Sequence, residues 1–176
     1  MKTIVCVDSK WGIGKKNGLL FRLPKDMAFF KQMTTGKVVA MGANTFLSFP
    51  KGALPNRVNI VLDDQGRKFE GATTVPTLFA LLAKLNEYDT DDVFVIGGAS
   101  VYRQLLPYCE KAYVTVFCRR FEKDVWFPDL DELPEWRLVC ESEPVFGKFR
   151  GAGGAEGEIS FVFREYSREK AAPLFT

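Results

Sequence analysis

The chain has 176 residues, of which 47% are hydrophobic and 26% are charged, and it carries a formal charge of +2. This length suits one domain that buries a core without a disulfide or metal staple. The near-neutral charge indicates neither a nucleic-acid nor a membrane partner, and no apolar run approaches the roughly 18 residues of a membrane span. Histidine is absent, which excludes a Ser-His-Asp triad and histidine-ligated zinc.

The cysteines favour a reducing compartment. Cys6, Cys109, Cys118 and Cys140 form no CxxC pair, so we expect free, mostly buried thiols in the cytoplasm. We expect no bound metal, and acid–base chemistry must come from Asp, Glu, Tyr, Lys or water.

Strand-like and helix-like segments alternate over the first two thirds of the chain. In chain order, the pattern predicts a strand at Thr3–Val7, a helix at Pro24–Met33, a strand at Lys37–Gly42, a helix at Asn44–Phe49, strands at Arg57–Leu62 and Ala72–Val75, a helix at Thr77–Leu85, a strand at Val93–Ile96, a helix at Ser100–Leu106 and a strand at Ala112–Cys118. Apolar strands separated by helices are typical of a parallel sheet covered on both faces. The predicted fold class is therefore α/β.

The last third of the chain alternates in strand fashion over Arg137–Glu141 and Glu158–Tyr166. The stretch between them predicts the loop of an antiparallel hairpin at the end of the sheet. Its glycines are Gly147, Gly151, Gly153, Gly154 and Gly157. We predict one domain over residues 1–166 and a frayed tail over residues 167–176, which have no visible core partner.

A long glycine-rich segment follows the first strand. Gly12, Gly14, Asn17 and Gly18 predict a bendable loop rather than a tight hairpin. Loops at the carboxyl ends of strands line the ligand crevice of an open α/β sheet, so this loop is a candidate lid that excludes water from a reaction. A long surface connection is the alternative.

The helix that begins at Pro24 carries a candidate functional acid. Asp26 lies in its first turn, and Met27, Phe30 and Met33 continue the same face. An acid beside an apolar stripe is partly desolvated, which raises its pKa, whereas the helix N-terminus favours the anion. Asp26 is thus a candidate to hold a heterocycle rich in N–H groups. A surface acid that complements the helix dipole is the alternative.

Two strand–glycine–helix turns occur, at Met41–Phe46 and Val95–Tyr102. Each brings backbone N–H groups to one point, and two such turns suit a dinucleotide; tight strand-to-helix packing is the alternative.

Arg57, at the start of a strand, is either a partner for a carboxylate ligand or a solvated strand-end residue. Thr115 lies within an apolar strand, where its hydroxyl needs a partner, and Asp26 is a candidate.

Taken in order, these segments resemble the dihydrofolate reductase family. The matching pieces, which run from about residue 1 to 166, are the opening strand, Gly12-Ile13-Gly14, Asn17-Gly18, Leu23-Pro24-Lys25-Asp26, Phe29-Phe30-Lys31, Met41–Phe46, Leu54-Pro55-Asn56-Arg57, Val95-Ile96-Gly97-Gly98, Thr115 and Phe127-Pro128-Asp129. The resemblance implies a mixed, mostly parallel eight-stranded sheet flanked by about four helices. It also implies NADPH-dependent reduction of 7,8-dihydrofolate to 5,6,7,8-tetrahydrofolate, supporting one-carbon and thymidylate metabolism. We further expect a cytoplasmic monomer that binds antifolate-type inhibitors.

The resemblance also implies roles for particular residues. Asp26 would clamp the 2-amino group and ring N–H of the pterin and assist protonation of N5, while hydride passes from the nicotinamide to C6. Thr115 would hydrogen-bond Asp26, and Arg57 would bind the α-carboxylate of the glutamate tail. Leu19 and Phe21 complete the implied catalytic set. The implied substrate contacts are Ile4, Val5, Asp26, Met27, Phe30, Phe49, Lys51, Leu54, Arg57, Ile96 and Thr115. The implied cofactor contacts are Cys6, Ile13, Gly14, Asn17, Gly18, Leu19, Gly42, Ala43, Asn44, Thr45, Leu62, Asp63, Asp64, Ile96, Gly97, Gly98, Ala99, Ser100, Val101 and Tyr102.

The sequence departs from the family pattern at three places. The family usually has Trp at position 21, whose indole N–H anchors a water near the pterin, whereas Phe21 has no donor. The family commonly has a basic residue where Ala43 stands, which pairs with the 2′-phosphate of the cofactor. It often has small hydroxyl residues where this chain has Asp63 and Asp64.

The last two departures bear on the choice of cofactor. A phosphate that faces two carboxylates is repelled, whereas an Asp accepts a hydrogen bond from a bare ribose 2′-OH. We therefore expect weakened discrimination between NADPH and NADH, unless Arg67 or Lys68 reaches the phosphate.

Two other interpretations remain open. One is another reductase on the same architecture, such as the pyrimidine reductase of the riboflavin pathway, and the other is a catalytically silent dinucleotide-binding or partner-binding module. Asp26 together with Arg57 favours a pterin that bears a glutamate tail. An absorbance assay with dihydrofolate and NADPH separates these interpretations, because a silent module shows no turnover.

Overall fold

The computed structural model describes residues 1–16, 18–151 and 154–174. The predictions made for Asn17 and Gly153 therefore lie outside the described residues. Contacts divide the chain into two units. The first comprises Met1–Thr3, Thr34–Glu110 and the chain from Ala171, and the second comprises Ile4–Met33 and Lys111–Lys170.

The described elements include strands of very different length. The strands, in chain order, are β1 (Lys2–Val7), β2 (Gly12–Lys15), β3 (Gly18–Leu19), β4 (Phe21–Arg22), β5 (Val38–Gly42), β6 (Val58–Leu62), β7 (Ala72–Val75), β8 (Val93–Gly97), β9 (Lys111–Phe117), β10 (Val125–Trp126), β11 (Trp136–Glu141), β12 (Val145–Gly151) and β13 (Glu156–Arg168). The α-helices are α1 (Pro24–Thr34), α2 (Ala43–Leu47), α3 (Leu78–Leu85) and α4 (Ala99–Leu105). Two 3-10 helices cover Thr90–Asp92 and Leu106–Tyr108. The predicted α/β class and the four helices are confirmed.

The first unit is a parallel sheet with helices packed on it. Its strand order is β8, β5, β6, β7, and the first residues of β1 pair in parallel with β8. Strands β5 and β8 are apolar throughout, and Val39, Ala40 and Met41 of β5 are completely buried. Helix α3 packs on β6 and β7 through Leu81 and Leu85, as their spacing predicts.

The second unit is built from antiparallel strands and α1. Strand β13 pairs with β9, β11 and β12, and β12 also pairs with β4. A separate sheet has the order β10, β2, β3. The core of this unit is an apolar cluster, which we call the aromatic cluster, of Leu20, Phe21, Leu23, Phe117, Phe149, Ile159 and Phe161. The predicted antiparallel hairpin is confirmed by the pairing of β11 with β13.

Two segments predicted as loops are strands. Residues Gly12–Lys15 form β2, so the glycine-rich segment is partly ordered in a small sheet. Strand β12 occupies the stretch predicted as the hairpin loop. Its glycines are needed for packing: a Cβ on Gly147 would lie 3.0 Å from Leu23 Cδ1 and 3.3 Å from Phe161 Cε1. Strands β2 and β12, together with the two-residue strands β3, β4 and β10, explain why the described residues contain more strands than the eight that we predicted.

Burial of the cysteines also differs from the prediction. All four are free thiols, but only Cys109 is fully buried, while Cys118 and Cys140 are exposed. In the part of the chain that the structure describes, no helix has the length and apolar character needed to cross a membrane.

Candidate active site

The candidate acid lies at the start of α1. The helix begins at Pro24, where a missing N–H costs nothing because the first turn has no intrahelical acceptor for it. The backbone N–H of Met27 donates to the carbonyl of Leu23 at 2.9 Å, which closes the first turn. Asp26 is therefore held on a rigid element, with its side chain partly buried.

Two uncharged donors contact the Asp26 carboxylate. The hydroxyl of Thr115 in β9 and the thiol of Cys6 in β1 both donate to it. Burial raises the pKa of Asp26, and these two hydrogen bonds oppose the rise without cancelling it. We call these three residues the acid site.

The acid site retains capacity for a ligand. A carboxylate offers about four lone-pair positions, of which the Thr115 and Cys6 donors occupy two. Two remaining positions on a rigid carboxylate match a paired set of N–H donors. Burial also raises the pKa of the Cys6 thiol, and the nearby carboxylate raises it further, so Cys6 acts as a donor and not as a thiolate.

The face of α1 beside Asp26 is apolar yet poorly covered. Met27 is 53% exposed, and Phe30 and Met33 are only partly buried. Among the described residues of α1, only Thr34 is buried. A helix normally covers its apolar stripe with core, so this stripe is a candidate surface for a flat apolar ligand.

The two other residues of the implied catalytic set lie in contrasting surroundings. Phe21 is buried in the aromatic cluster, where its ring stacks on Phe117 with centroids 3.7 Å apart and lies 5.2 Å from the ring of Phe121. Its role there is packing, and it offers no hydrogen-bond donor. Leu19 in β3 is 62% exposed.

The glycine-rich segment is anchored by a second buried acid. Asp8 Oδ1 accepts the backbone N–H groups of Lys10 and Gly12, each at 2.9 Å. Its Oδ2 accepts the N–H of Phe121 at 2.8 Å and forms an ion pair with the ammonium of Lys123. Burial alone would raise the pKa of Asp8, but Lys123 and the backbone donors outweigh it and lower the pKa.

The rest of that segment is also paired. Strand β10 runs antiparallel to β2, with Val125 opposite Gly14. The N–H of Lys16 donates to Asp124 Oδ2 at 2.9 Å, and the N–H of Asp124 donates to the Gly14 carbonyl at 3.1 Å. The predicted lid is therefore held in one described conformation from Gly12 to Lys16.

In the first unit, the two glycine turns lie at the carboxyl ends of adjacent strands. Met41 of β5 is opposite Gly97 of β8, so the chain leaves both strands at the same edge. A Cβ on Gly42 would lie 3.2 Å from Val101 Cγ2, and one on Gly98 would lie 3.3 Å from Thr45 Oγ1. Val101 and Thr45 therefore pack closely over these glycines, which allow the helices to approach the strand ends.

Other residues implied by the resemblance are also placed. Arg57 donates from Nη1 to Thr34 Oγ1 and from Nε to the Pro55 carbonyl, both at 3.0 Å. Burial lowers the pKa of Arg57, but an arginine side chain remains charged in proteins. The remaining substrate candidates range from buried (Ile4, Val5, Ile96) through partly buried (Phe49, Leu54) to exposed (Lys51).

The remaining cofactor candidates span a similar range. The buried ones are Gly14, Ala43, Asp63, Gly97, Val101 and Tyr102; the partly buried ones are Cys6, Ile13, Gly42, Thr45, Leu62, Gly98 and Ala99; and the exposed ones are Gly18, Leu19, Asn44, Asp64 and Ser100.

The structure brings Asp26 and Thr115 together, as predicted. The resemblance implies a cofactor contact for Cys6, whereas in the structure its thiol donates to Asp26. The alternation of β1 was the available signal, since Ile4 and Cys6 project to one face of the strand.

Comparison with known proteins agrees with these features. The family model described as dihydrofolate reductase matches residues 1–151. A dihydrofolate reductase of Bacillus subtilis (strain 168) is 39% identical over 141 residues, covering 80% of this chain and 82% of that protein. One from Staphylococcus haemolyticus is 35% identical over 166 residues, covering 94% of this chain and 93% of the relative. The chain belongs to the dihydrofolate reductase family.

A solved structure extends the similarity to the fold. Dihydrofolate reductase from Enterococcus faecalis, complexed with NADP(H) and RAB-propyl, superposes with a TM-score of 0.80. The two chains are 29% identical, and the match covers 96% of each. The family that the sequence motifs predicted is confirmed.

Proposed function

We propose that this protein reduces 7,8-dihydrofolate to 5,6,7,8-tetrahydrofolate with NADPH as the hydride donor. The observation that carries the proposal is the acid site. Its carboxylate lies on the first turn of α1 and is fixed by two neutral donors, and burial raises its pKa. Hydride transfer needs no enzymatic nucleophile, so a chain without histidine lacks nothing essential. It needs orientation, exclusion of water and a proton route.

Asp26 supplies orientation and a place for the proton. Its free lone pairs accept hydrogen bonds from the 2-amino group and ring N–H of the pterin, which fixes the ring in the plane of the carboxylate. Its raised pKa brings the carboxyl group closer to the operating pH, where proton transfer is most effective. Thr115 and Cys6 hold the carboxylate in position, and the apolar stripe of α1 keeps the surroundings dry.

Arg57 binds the α-carboxylate of the glutamate tail. Its Nε and Nη1 groups are held by Pro55 and Thr34, so the guanidinium is oriented before the ligand arrives. An oriented arginine suits a carboxylate, because two parallel N–H groups match its two oxygens.

The first unit has a suitable place for the cofactor. Gly42, Gly97 and Gly98 lie where α2 and α4 begin at adjacent strand ends, so that backbone N–H groups suit the pyrophosphate, and Thr45 and Ser100 lie in the same turns. When bound, NADPH supplies the hydride. The chain from Gly12 to Leu19 acts as the lid.

The test is an absorbance assay of NADPH consumption with purified protein and dihydrofolate. We expect turnover that requires both substrates and is abolished when dihydrofolate is omitted. Turnover with the substrate of the riboflavin-pathway pyrimidine reductase, and none with dihydrofolate, would establish the rival reductase. Binding of NADPH without turnover of either substrate would establish a silent module.

The same proposal extends to compartment and assembly. Four free thiols suit a reducing cytoplasm. All three residues of the acid site come from one chain, so a monomer suffices for the proton step. Light scattering coupled to size exclusion measures the assembly directly, and a stable dimer that loses activity on dissociation would contradict the monomer.

A further inference from the structure

An unusual ion pair lies at the end of β6. Asp63 follows this strand directly, and its side chain is only 1% exposed. Arg67, four residues later, wraps back onto it: Nη2 donates to Oδ1 at 2.6 Å, and Nε is 3.2 Å from both oxygens. The backbone N–H of Arg67 also donates to Oδ2, at 2.8 Å.

This pair changes what Asp63 can do. Its two oxygens accept three side-chain contacts and one backbone hydrogen bond from Arg67, and the neighbouring guanidinium lowers the pKa of Asp63. A buried carboxylate whose lone pairs are occupied in this way has little capacity left for a ribose hydroxyl. It also presents no bare negative charge, because the guanidinium offsets it. The repulsion of a phosphate that the sequence suggested for Asp63 is therefore removed.

Arg67 is the exposed half of the pair. Its side chain is 39% exposed, and its guanidinium lies 5.8 Å from the centre of the Phe69 ring. The contacts from Asp63 use Nε and Nη2, so they fix the guanidinium plane and leave Nη1 directed away from the carboxylate. An arginine fixed in this way binds a phosphate at a lower entropic cost than a free one.

The pair lies at the carboxyl end of β6, beside the strand end that carries Gly42. Leu62, the residue before Asp63, is opposite Gly42 in the parallel pairing of β6 with β5. An acid about 20 residues after the glycine of a strand–turn–helix unit, at the end of the neighbouring strand, reads the adenosine ribose in dinucleotide-binding folds, and a nearby Arg accommodates a 2′-phosphate. Gly42 and Asp63 have this spacing.

We propose that Arg67, oriented by buried Asp63, is the residue that recognises the 2′-phosphate of the cofactor and sets the preference for NADPH over NADH. Asp63 acts through Arg67 as a positioning residue. This inference rests on the proposed function for its cofactor, but the ligand contact is testable without the reaction.

The experiment compares two nucleotides that differ only by the phosphate in question. Adenosine 2′,5′-bisphosphate and adenosine 5′-monophosphate are titrated by calorimetry into the wild type and into Arg67→Gln, Asp63→Asn and Lys68→Gln. The last variant removes the other positive charge that the sequence offers for the phosphate, which is exposed. We expect Arg67→Gln to weaken binding of the bisphosphate about tenfold, in line with loss of one charge-assisted contact. The affinity for the monophosphate should stay within about twofold of the wild type. Lys68→Gln should change the affinity for either nucleotide by less than about twofold.

Asp63→Asn gives the sharpest result, because its effect has opposite signs under the two ideas. If Asp63 orients Arg67, the amide loosens the arginine and bisphosphate binding weakens, by about threefold or more. If Asp63 repels the phosphate, the amide removes a negative charge and binding tightens. Three results would overturn the proposal. The first is tighter binding of the bisphosphate to Asp63→Asn. The others are an equal loss of affinity for both nucleotides in Arg67→Gln and equal losses of bisphosphate affinity in Arg67→Gln and Lys68→Gln.

Activity assays then separate this inference from the proposed function. In Arg67→Gln, kcat/KM for NADPH should fall about tenfold while kcat/KM for NADH stays unchanged. If the wild type turns over dihydrofolate with neither cofactor, the proposed function fails, and the nucleotide titrations still decide the role of Arg67. Melting temperatures of the variants report any loss of folding.

Discussion

Two acids of the second unit, Asp26 and Asp8, show how the surroundings decide what a carboxylate does. Burial raises the pKa of both. Asp8 meets the ammonium of Lys123 and three backbone N–H groups, which reverse the shift and hold it ionised. The donors that Asp26 meets among the described residues are a hydroxyl and a thiol, which leave its pKa raised.

The difference separates a structural acid from a reactive one. Asp8 has its lone pairs occupied and a positive charge beside it, so it fixes the chain around it and has no capacity for a ligand. Asp26 is held in position by two uncharged donors, and it keeps two lone-pair positions for a ligand and a raised pKa. Desolvation is common to the two acids, and the charge of the partner distinguishes them.

Asp26→Asn tests the reactive acid and should have the largest effect. The amide keeps the shape but removes the anion, so we expect kcat at pH 7 to fall by about 10²–10⁴-fold, with partial recovery at low pH, where the substrate arrives protonated. Steady-state assays across pH measure this. Asp91→Asn, on the exposed 3-10 helix, is the matched control. Activity at pH 7 equal to the wild type would remove Asp26 from the mechanism.

The same variant should be more stable than the wild type. Because the folded protein raises the pKa of Asp26, the unfolded chain ionises this group more readily at neutral pH, and the fold loses stability there. At a pH below the pKa of Asp in the unfolded chain, about 3.9, Asp26 is protonated in both the folded and the unfolded state and the penalty disappears. We therefore expect Asp26→Asn to raise Tm by a few degrees at pH 7 and to leave it unchanged in acid. A lower Tm at pH 7 would contradict this.

Breaking the ion pair of Asp8 with Lys123, which we call the structural pair, should change stability in the opposite direction at neutral pH. Asp8→Asn leaves the buried ammonium of Lys123 without its counter-charge, so we expect a loss of about 3–5 kcal/mol in the free energy of unfolding at pH 7. The lowered pKa of Asp8 means that its contribution is present above the unfolded pKa and is lost as the pH falls through the folded value. Urea unfolding at neutral and acid pH measures both. Asp92→Asn, which removes the partly exposed pair with Lys37, should cost less than about 1 kcal/mol.

How much of this the sequence could predict depends on the distance over which each contact acts. Local contacts were readable: the pattern over Thr77–Leu85 predicted α3, and the structure adds that the Thr77 hydroxyl accepts the Ala80 N–H as its N-cap. The ordered motifs predicted the family because each segment keeps its place along the chain.

Contacts between distant residues were not readable. Asp8 and Lys123 are 115 residues apart, and neither belongs to a pattern that spacing can reveal. Strand β12 was missed because its glycines resemble a loop, although Gly147 is where the chain passes closely over Leu23. The bond from Cys6 to Asp26 likewise depends on where β1 and α1 come together, which periodicity does not fix.

Gly12→Ala sharpens the account of the structural pair. A Cβ at this position would lie 1.8 Å from Cδ of Lys123, so the buried lysine must move away from Asp8. The backbone of Gly12 is not in the left-handed region, which leaves this clash as the cost, and we expect a loss of about 1–3 kcal/mol. In a Lys123→Ala background the stem is gone, and the added cost of Gly12→Ala should fall below about 1 kcal/mol. Equal costs in the two backgrounds would show that the lysine is not the cause.

The smallest effects should come from the two donors to Asp26. Thr115→Val and Cys6→Ala each remove one hydrogen bond that favours the carboxylate, so the pKa of Asp26 should rise further and the matching limb of the pH profile of kcat should move to higher pH. A hydroxyl is the stronger donor, hence we expect about a two- to tenfold loss in kcat at pH 7 for Thr115→Val and about twofold or less for Cys6→Ala. Cys6→Ser restores a donor and should move the profile back to lower pH. Superimposable pH profiles for the wild type and Thr115→Val would mean that the Thr115 hydroxyl does not tune this acid, and the contrast with Asp8 would then rest on Lys123 and the backbone donors to Asp8.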